Sequence, residues 1–485
     1  MSTIAELLIP VIRWEHATGF DGEQEGIARA LALGVGGFVL FGGPDGEVRA
    51  LTKDLRQRSR VPLLIGAELE RGAAQQFPGT TGMPPLAALA ALDDRNLVAR
   101  AAKMTAREAR TIGVNWNLAP VCDLAHHLPG GHSGTRELGA NPQRVGDLAA
   151  GWIEECQREG VLACAKRFPG NGRAGPPSRD APPSVGVARS VLFESDLVPF
   201  RAAITSRVAS IMTAHVSYPA LDATRLPASL STQMQRYLLR EKLGFDGLIV
   251  SDALATPAMV SAEGEVATAI RSLDAGTDLL LFPRDLESII AALDVAVRDG
   301  PLDDDRVTQS RRRRLKWAQW AAPPTDYRRV TGSDVAWASQ LGERVVRLVR
   351  GQVAPLAGAA DVVTALDGAA IEQSGAGAPF VAALKQGGVT VKPDGASAPA
   401  GGVTLVLLFS SIFEGESSPP YPVGACEEAR RACAAARTAG RESVVIQFGP
   451  PDRLDGLEDC ANVVCGWTGD EWMQAATARW LLRGS

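Results

Sequence analysis

Along the first 300 residues, short apolar runs rich in branched side chains alternate with longer, alanine-rich stretches of helical spacing. The runs are Gly37 to Phe41, Leu63 to Ile65, Val114 to Leu118, Val161 to Ala165, Ser210 to Ala214, Leu248 to Val250 and Leu279 to Leu281, with Leu8-Ile9 as an eighth. Continuous apolar runs of this length suit strands buried on both faces of a parallel sheet. The stretches between them, 93–112, 142–159, 190–207, 230–243, 264–275 and 285–299, are predicted as helices. This β-α beat predicts an α/β fold, either a (β/α)₈ TIM-type barrel or an open doubly wound sheet. The polar residues favour the barrel. They cluster just past each run, at Gly42-Gly43, Glu68 and Glu70, Asn117 and Asp123, Lys166, His215 and Asp252, where barrel enzymes carry their chemistry.

Around 301–335 the beat breaks into Asp303-Asp304-Asp305, Arg311 to Arg314 and Pro323-Pro324, a helix followed by a linker. Helical spacing is expected over 336–350, then strands at Val362-Val363, Val403 to Phe409, Val444 to Phe448 and Val463-Val464. The expected organisation is a barrel over 1–320, a linker and helix over 321–350, and a smaller α/β sandwich over 351–485. At 485 residues, 46% hydrophobic and 22% charged, the chain is neither disordered, collagen-like nor a disulfide scaffold. A net charge of -5 provides no basic footprint for nucleic acid or anionic membrane, and the Arg311 to Arg314 run is expected as a solvated helix face or an interdomain contact. The seven cysteines are odd in number and form no CxxC pair, which points to a reducing compartment. The first residues lack the features of a signal peptide and no run reaches about 18 apolar residues, so a cytoplasmic location without a membrane span is expected.

Three places invite chemistry. Gly247 to Leu254 is an apolar strand that delivers Asp252 into the following turn, as a nucleophile, base, metal ligand or helix cap. In Ala165 to Arg173 a strand ends in two cations, Lys166 and Arg167, and enters a glycine- and proline-rich loop. Such a pair suits a hydroxyl-rich or carboxylate substrate, or a salt bridge at the rim, and the loop lacks the order of a phosphate-binding loop. His215 closes a third run, as a structural or a catalytic histidine. His126, His127 and His132 share a loop with Asp123, but no ligand spacing supports a metal.

In register, these segments resemble the N-terminal barrel of family 3 glycoside hydrolases, in particular the β-N-acetylhexosaminidase-like branch. The resemblance covers most of 1–300. It rests on Gly36-Gly37-Phe38 with Phe41-Gly42, Ile65 to Gly72, Gly113 to Asp123, Thr135 to Gly139, Lys166 to Gly172, Met212 to His215, Pro227 to Ser231 and Phe245 to Leu254. It implies that Asp252 is the nucleophile of a retaining double displacement. It also implies that Glu68, Arg136, Lys166, Arg167 and His215 line the sugar subsite, with no cofactor or metal. The implied partner is a small carbohydrate or glycoside.

The chain departs from that pattern in several places. Glu68 stands for the usual aspartate, Arg167 for a histidine, and Gln76 for a frequent arginine. Pro177-Ser178-Arg179 replaces an Asp-Ser-His triplet whose histidine serves as acid/base, and an arginine cannot shuttle protons near neutral pH. Asp180, or Glu414 and Glu416 of the second domain, are the replacements the sequence offers. The expected activity is hydrolysis of a terminal β-linked sugar, of β-N-acetylhexosaminidase or β-glucosidase type. The alternatives are a weakened member that binds sugar or a partner without turnover, and transfer to or from an anion held by Arg167 and Arg179.

Overall fold

The computed structural model describes residues 3–126, 134–175, 182–256, 259, 264–322, 329–365, 376–392, 402–410 and 423–484. It divides into two units, the first made of Met1–Thr81, Asp94–Ser133 and Glu137–Val330, the second of Gly82–Asp93, Gly134–Arg136 and Thr331–Ser485. Two short segments of the first 320 residues thus count with the second unit, unlike the contiguous division expected from sequence.

In unit 1, β1 (Leu8–Ile9) and β2 (Val11–Arg13) form one stave interrupted at Pro10. It is followed by β3 (Gly37–Phe41), β4 (Leu64–Ala67), β5 (Trp116–Asn117), β6 (Leu162–Phe168), β7 (Ser210–Thr213), β8 (Leu248–Ser251) and β9 (Leu280–Leu281). β2 through β8 pair in parallel, each with its neighbour in sequence. The ring closes because Leu8 and Ile9 pair with Leu280 and Leu281, and Val250 bridges to Leu279. The expected TIM-type barrel is therefore the observed fold. All seven expected runs and Leu8-Ile9 contribute strands, and Leu64, Ile65, Leu248, Ile249 and Val250 are fully buried. Trp116 fills the interior, donating Nε1 to Ser210 Oγ at 2.9 Å. Gly66 makes room for it, since a Cβ there would lie 3.2 Å from the indole. Burying such an indole stabilises the barrel by about 4–6 kcal/mol.

Three of the helices between the strands begin at side-chain caps. Asp94, Asn141 and Asp285 accept backbone N–H bonds at the starts of Arg95–Thr111, Pro142–Arg158 and Leu286–Asp299. Helices Gln24–Leu33 and Asp45–Arg58 were not expected from sequence. In the second, Val48, Leu51 and Leu55 are buried at i, i+3 and i+7 among charged residues.

Unit 2 carries a six-stranded sheet of β10 (Arg347–Arg350), β11 (Ala359–Ala365), β12 (Thr390–Lys392), β13 (Val403–Phe409), β14 (Glu442–Phe448) and β15 (Val463–Cys465). Its order is β10-β15-β14-β13-β11-β12, with only the β10 pairing antiparallel. This is the expected α/β domain, with one correction. Residues 347–350 are a strand and not the end of a helix, because the helix Gly332–Val345 stops at Val346, whose ψ is 137°. Behind the sheet Phe448 stacks on Phe409 and meets Phe380 edge-on.

Candidate active site

The strand ends of the barrel gather the polar residues of unit 1, and backbone hydrogen bonds hold the loops that carry them. Asn117, at the end of β5, accepts from Leu69 N at 3.1 Å and donates to Leu69 O at 3.2 Å, which fixes the turn after β4. Gln75 accepts from Glu70 N and Arg71 N. Glu68 and Glu70 thereby converge on Lys166, whose Nζ lies 2.7 Å from Glu68 Oε1 and 2.8 Å from Glu70 Oε1. The Lys166 side chain is 0% exposed, so two carboxylates compensate a wholly buried ammonium.

Arg167 joins Lys166 through a cis peptide. Its Nε donates to Asp252 Oδ2 at 2.9 Å, and its backbone N–H donates to Asp123 Oδ1 at 3.1 Å. Asp252 follows β8 and keeps 24% of its side chain exposed. Its Oδ1 accepts from Ala253 N at 2.8 Å. Burial pushes the Asp252 carboxyl up, but Arg167, His215, the Ala253 N–H and Lys166 outweigh it and hold the group below the usual carboxylate value. Asp252 is therefore ionised near neutral pH.

His215 follows β7. Its Nδ1 lies 2.6 Å from Ser229 Oγ and its Nε2 2.9 Å from Ala253 O. The carbonyl requires the hydrogen on Nε2, so Nδ1 accepts from the serine. Burial pulls this imidazole below its ordinary value, against the opposing pull of Asp252, which keeps it neutral. Both ring nitrogens thus serve the turn that carries Asp252.

Asp123 also accepts from Asn171 N at 2.7 Å and ties the loop after β6 to the loop after β5. Beyond it lies a pair that sequence reasoning missed. Asp196 is buried and meets Arg173 Nε at 2.9 Å and Ser195 Oγ at 2.5 Å, with His126 Nε2 at 3.6 Å. Of this pair, His126 was legible as a loop histidine beside Asp123. Asp196 sits 70 positions on in a helical stretch, directly after Glu194 and Ser195, and gave no signal.

Of the residues singled out from sequence, Glu68, Lys166, Arg167, His215 and Asp252 meet in this cluster. Arg136 belongs to Gly134–Arg136 of unit 2. Pro177, Ser178, Arg179, Asp180, His127, His132, Glu414 and Glu416 lie outside the described residues. Among the described residues no group of three or more His, Cys, Asp or Glu side chains could hold a metal ion. What the cluster offers is an ionised, partly exposed carboxylate beside a guanidinium and a buried ammonium. These are the elements of a nucleophile set against a hydroxyl-rich ligand.

Comparison with known proteins bears on that chemistry. The profile of the glycosyl hydrolase family 3 N-terminal domain matches residues 25–316. A β-hexosaminidase of Alkalilimnicola ehrlichii is 35% identical over 286 residues, covering 57% of this chain and 81% of its own. A β-N-acetylglucosaminidase/β-glucosidase of Cellulomonas fimi is 32% identical over 57% of this chain, and the match spans about half (51%) of that relative's length. Among solved structures, a family 3 β-N-acetylglucosaminidase of a Paenibacillus species superposes with a TM-score of 0.83 at 25% identity, covering 99% of this chain and 97% of its own.

Proposed function

The chain belongs to glycosyl hydrolase family 3, and from that premise we propose that it is a retaining exo-glycosidase that removes a terminal β-linked sugar of the N-acetylglucosamine or glucose type, with Asp252 as nucleophile. The observation that carries this reading is the ionised Asp252 carboxylate at the end of β8, facing the Glu68-Lys166-Arg167 cluster. Asp252 attacks the anomeric carbon as the leaving group departs, and water then releases the sugar with net retention. Glu68, with 22% of its side chain exposed, accepts from sugar hydroxyls, and Lys166, buried between Glu68 and Glu70, holds it in place. His215 positions the Asp252-Ala253 turn, and Arg136 joins the sugar binders on sequence grounds alone. A cytoplasmic location belongs to the same proposal and is supported by seven cysteines that are all buried free thiols.

One contact favours a second reading, sugar binding without turnover. Arg167 occupies the Asp252 oxygen that faces it, in a geometry that lowers its nucleophilicity. Hydrolysis of 4-nitrophenyl β-N-acetylglucosaminide and β-glucoside separates the two. We expect turnover with release of the β-anomer, reduced by about 10³-fold or more in Asp252→Ala. Equal rates in the two proteins would contradict Asp252 as nucleophile, and sugar-dependent thermal stabilisation with no turnover would favour binding.

A further inference from the structure

The barrel ring opens at its seam. Leu8 and Ile9 pair with Leu280 and Leu281, and Phe282 N donates to Ile9 O at 3.0 Å. Past Pro10, β2 pairs with β3 alone among the described strands. The gap this leaves is a pocket of about 620 Å³ between β2, the helix Gln24–Leu33 and residues 282–286. That volume falls within the range of small-molecule sites, about 300–1,000 Å³. None of Glu68, Lys166, Arg167 and Asp252 lines it, so it is distinct from the cluster described above.

Ile12, Ile27, Phe282 and Leu286 give the pocket apolar walls, and two arginines line it as well. The Arg13 guanidinium lies over the Phe41 ring, 4.6 Å from its centroid, and Phe41 meets Phe282 edge-on at 5.8 Å. Arg284 is exposed, and its backbone N–H donates to Glu265 Oε1 at 2.7 Å. Among the described residues neither guanidinium has an ion-pair partner. Glu23 also lines the pocket, with its Oε1 accepting from Arg13 N at 3.2 Å. Two cations against one carboxylate leave the lining net positive. Gly26, in the first turn of the helix Gln24–Leu33, completes one wall, and a Cβ there would meet nothing within 4 Å. Glycine weakens a helix and no neighbour requires it here, so its effect is to keep the pocket open.

We propose that this seam pocket is a second ligand site, for a small aromatic monocarboxylate. The ring packs between Ile27, Phe282 and Leu286, and the carboxylate takes charge-assisted hydrogen bonds from Arg13 and Arg284. A dianion such as a phosphate monoester carries more charge than the two arginines balance beside Glu23, and a sugar would set its hydroxyls against walls that cannot bond them. Ala253, Ala255 and Thr256 also line the pocket, and Ala253 N is the donor to Asp252 Oδ1. The occupant therefore rests against the turn that carries Asp252, apart from the Glu68-Lys166-Arg167 cluster.

The test is calorimetric titration of the full chain with 2-naphthoate, and with 2-naphthylmethanol as its uncharged counterpart. We expect one saturable site for 2-naphthoate, binding of the alcohol weaker by about tenfold, and a loss of about tenfold in Arg13→Gln or Arg284→Gln. Gly26→Ala should bind as the natural chain does and Gly26→Phe should not bind, with thermal midpoints as the folding control. Excess N-acetylglucosamine or glucose should leave the affinity unchanged. No saturable binding at up to about 1 mM would overturn the site. So would unchanged affinity in Gly26→Phe or in both arginine variants, or displacement of 2-naphthoate by either sugar. Every readout is binding, so the outcome stands whether or not the chain hydrolyses glycosides.

Discussion

Asp252 receives a hydrogen bond on each carboxylate oxygen, from Arg167 Nε and from Ala253 N. These bonds, with His215 and Lys166 nearby, are what hold it ionised against burial. Removing the guanidinium shifts the balance toward burial, so Arg167→Ala raises the pH at which Asp252 ionises. Labelling by an activated fluoro-sugar requires the ionised form and no acid, so its acidic limb should move to higher pH in that variant. An unmoved limb would show that Arg167 does not govern Asp252. Lys166→Met should cost about 3–5 kcal/mol in denaturant unfolding, because it leaves two largely buried carboxylates without their cation. Lys166, Arg167, Glu68 and Asp252 were legible in the sequence because each is a polar residue ending an apolar run. Their pairing was not, since Lys166 and Glu68 are 98 positions apart and Arg167 and Asp252 are 85 apart. Only closure of the barrel brings them together.

Among the elements, the barrel strands were legible because burial on both faces leaves continuous apolar runs. The helices Gln24–Leu33 and Asp45–Arg58 were not, because their apolar stripes are narrow and interrupted by charge. The Arg311 to Arg314 run is not the solvated helix face expected from sequence, because three of its arginines pair with carboxylates of unit 1. Arg311 and Arg314 bond Glu6, and Arg314, only 1% exposed, also donates to Pro62 O. Arg313 joins Arg306 and Arg240 around Asp278, which is fully buried just ahead of β9. This cluster fastens the helix Asp304–Trp320 to the barrel. Burial pushes the Asp278 carboxyl up, and the three arginines outweigh it and hold it below the usual range. Asp278→Ala should therefore destabilise the protein by about 3–5 kcal/mol, as a lower denaturant midpoint, since the guanidinium groups lose their shared counter-charge. A change under about 1 kcal/mol would show that the arginines find other partners.

Over the whole molecule, Asp196, Asp252 and Asp278 all have folded values below their ordinary ones. Each contributes stability above its unfolded value, near pH 4, and loses it as pH falls through the folded value. The thermal midpoint should therefore drop steeply below about pH 4. In Asp278→Asn that acid dependence should be shallower. No described helix is long and apolar enough to cross a membrane. The proposed function turns on one carboxylate, Asp252, and covalent trapping tests it most directly. The full chain would be incubated with activated fluoro-sugars of the glucose and N-acetylglucosamine types, weighed intact, and the labelled peptide mapped. The account predicts a mass increase of one sugar per chain, carried on Asp252 and absent in Asp252→Ala. No adduct with either sugar, or an adduct on another residue, would contradict it.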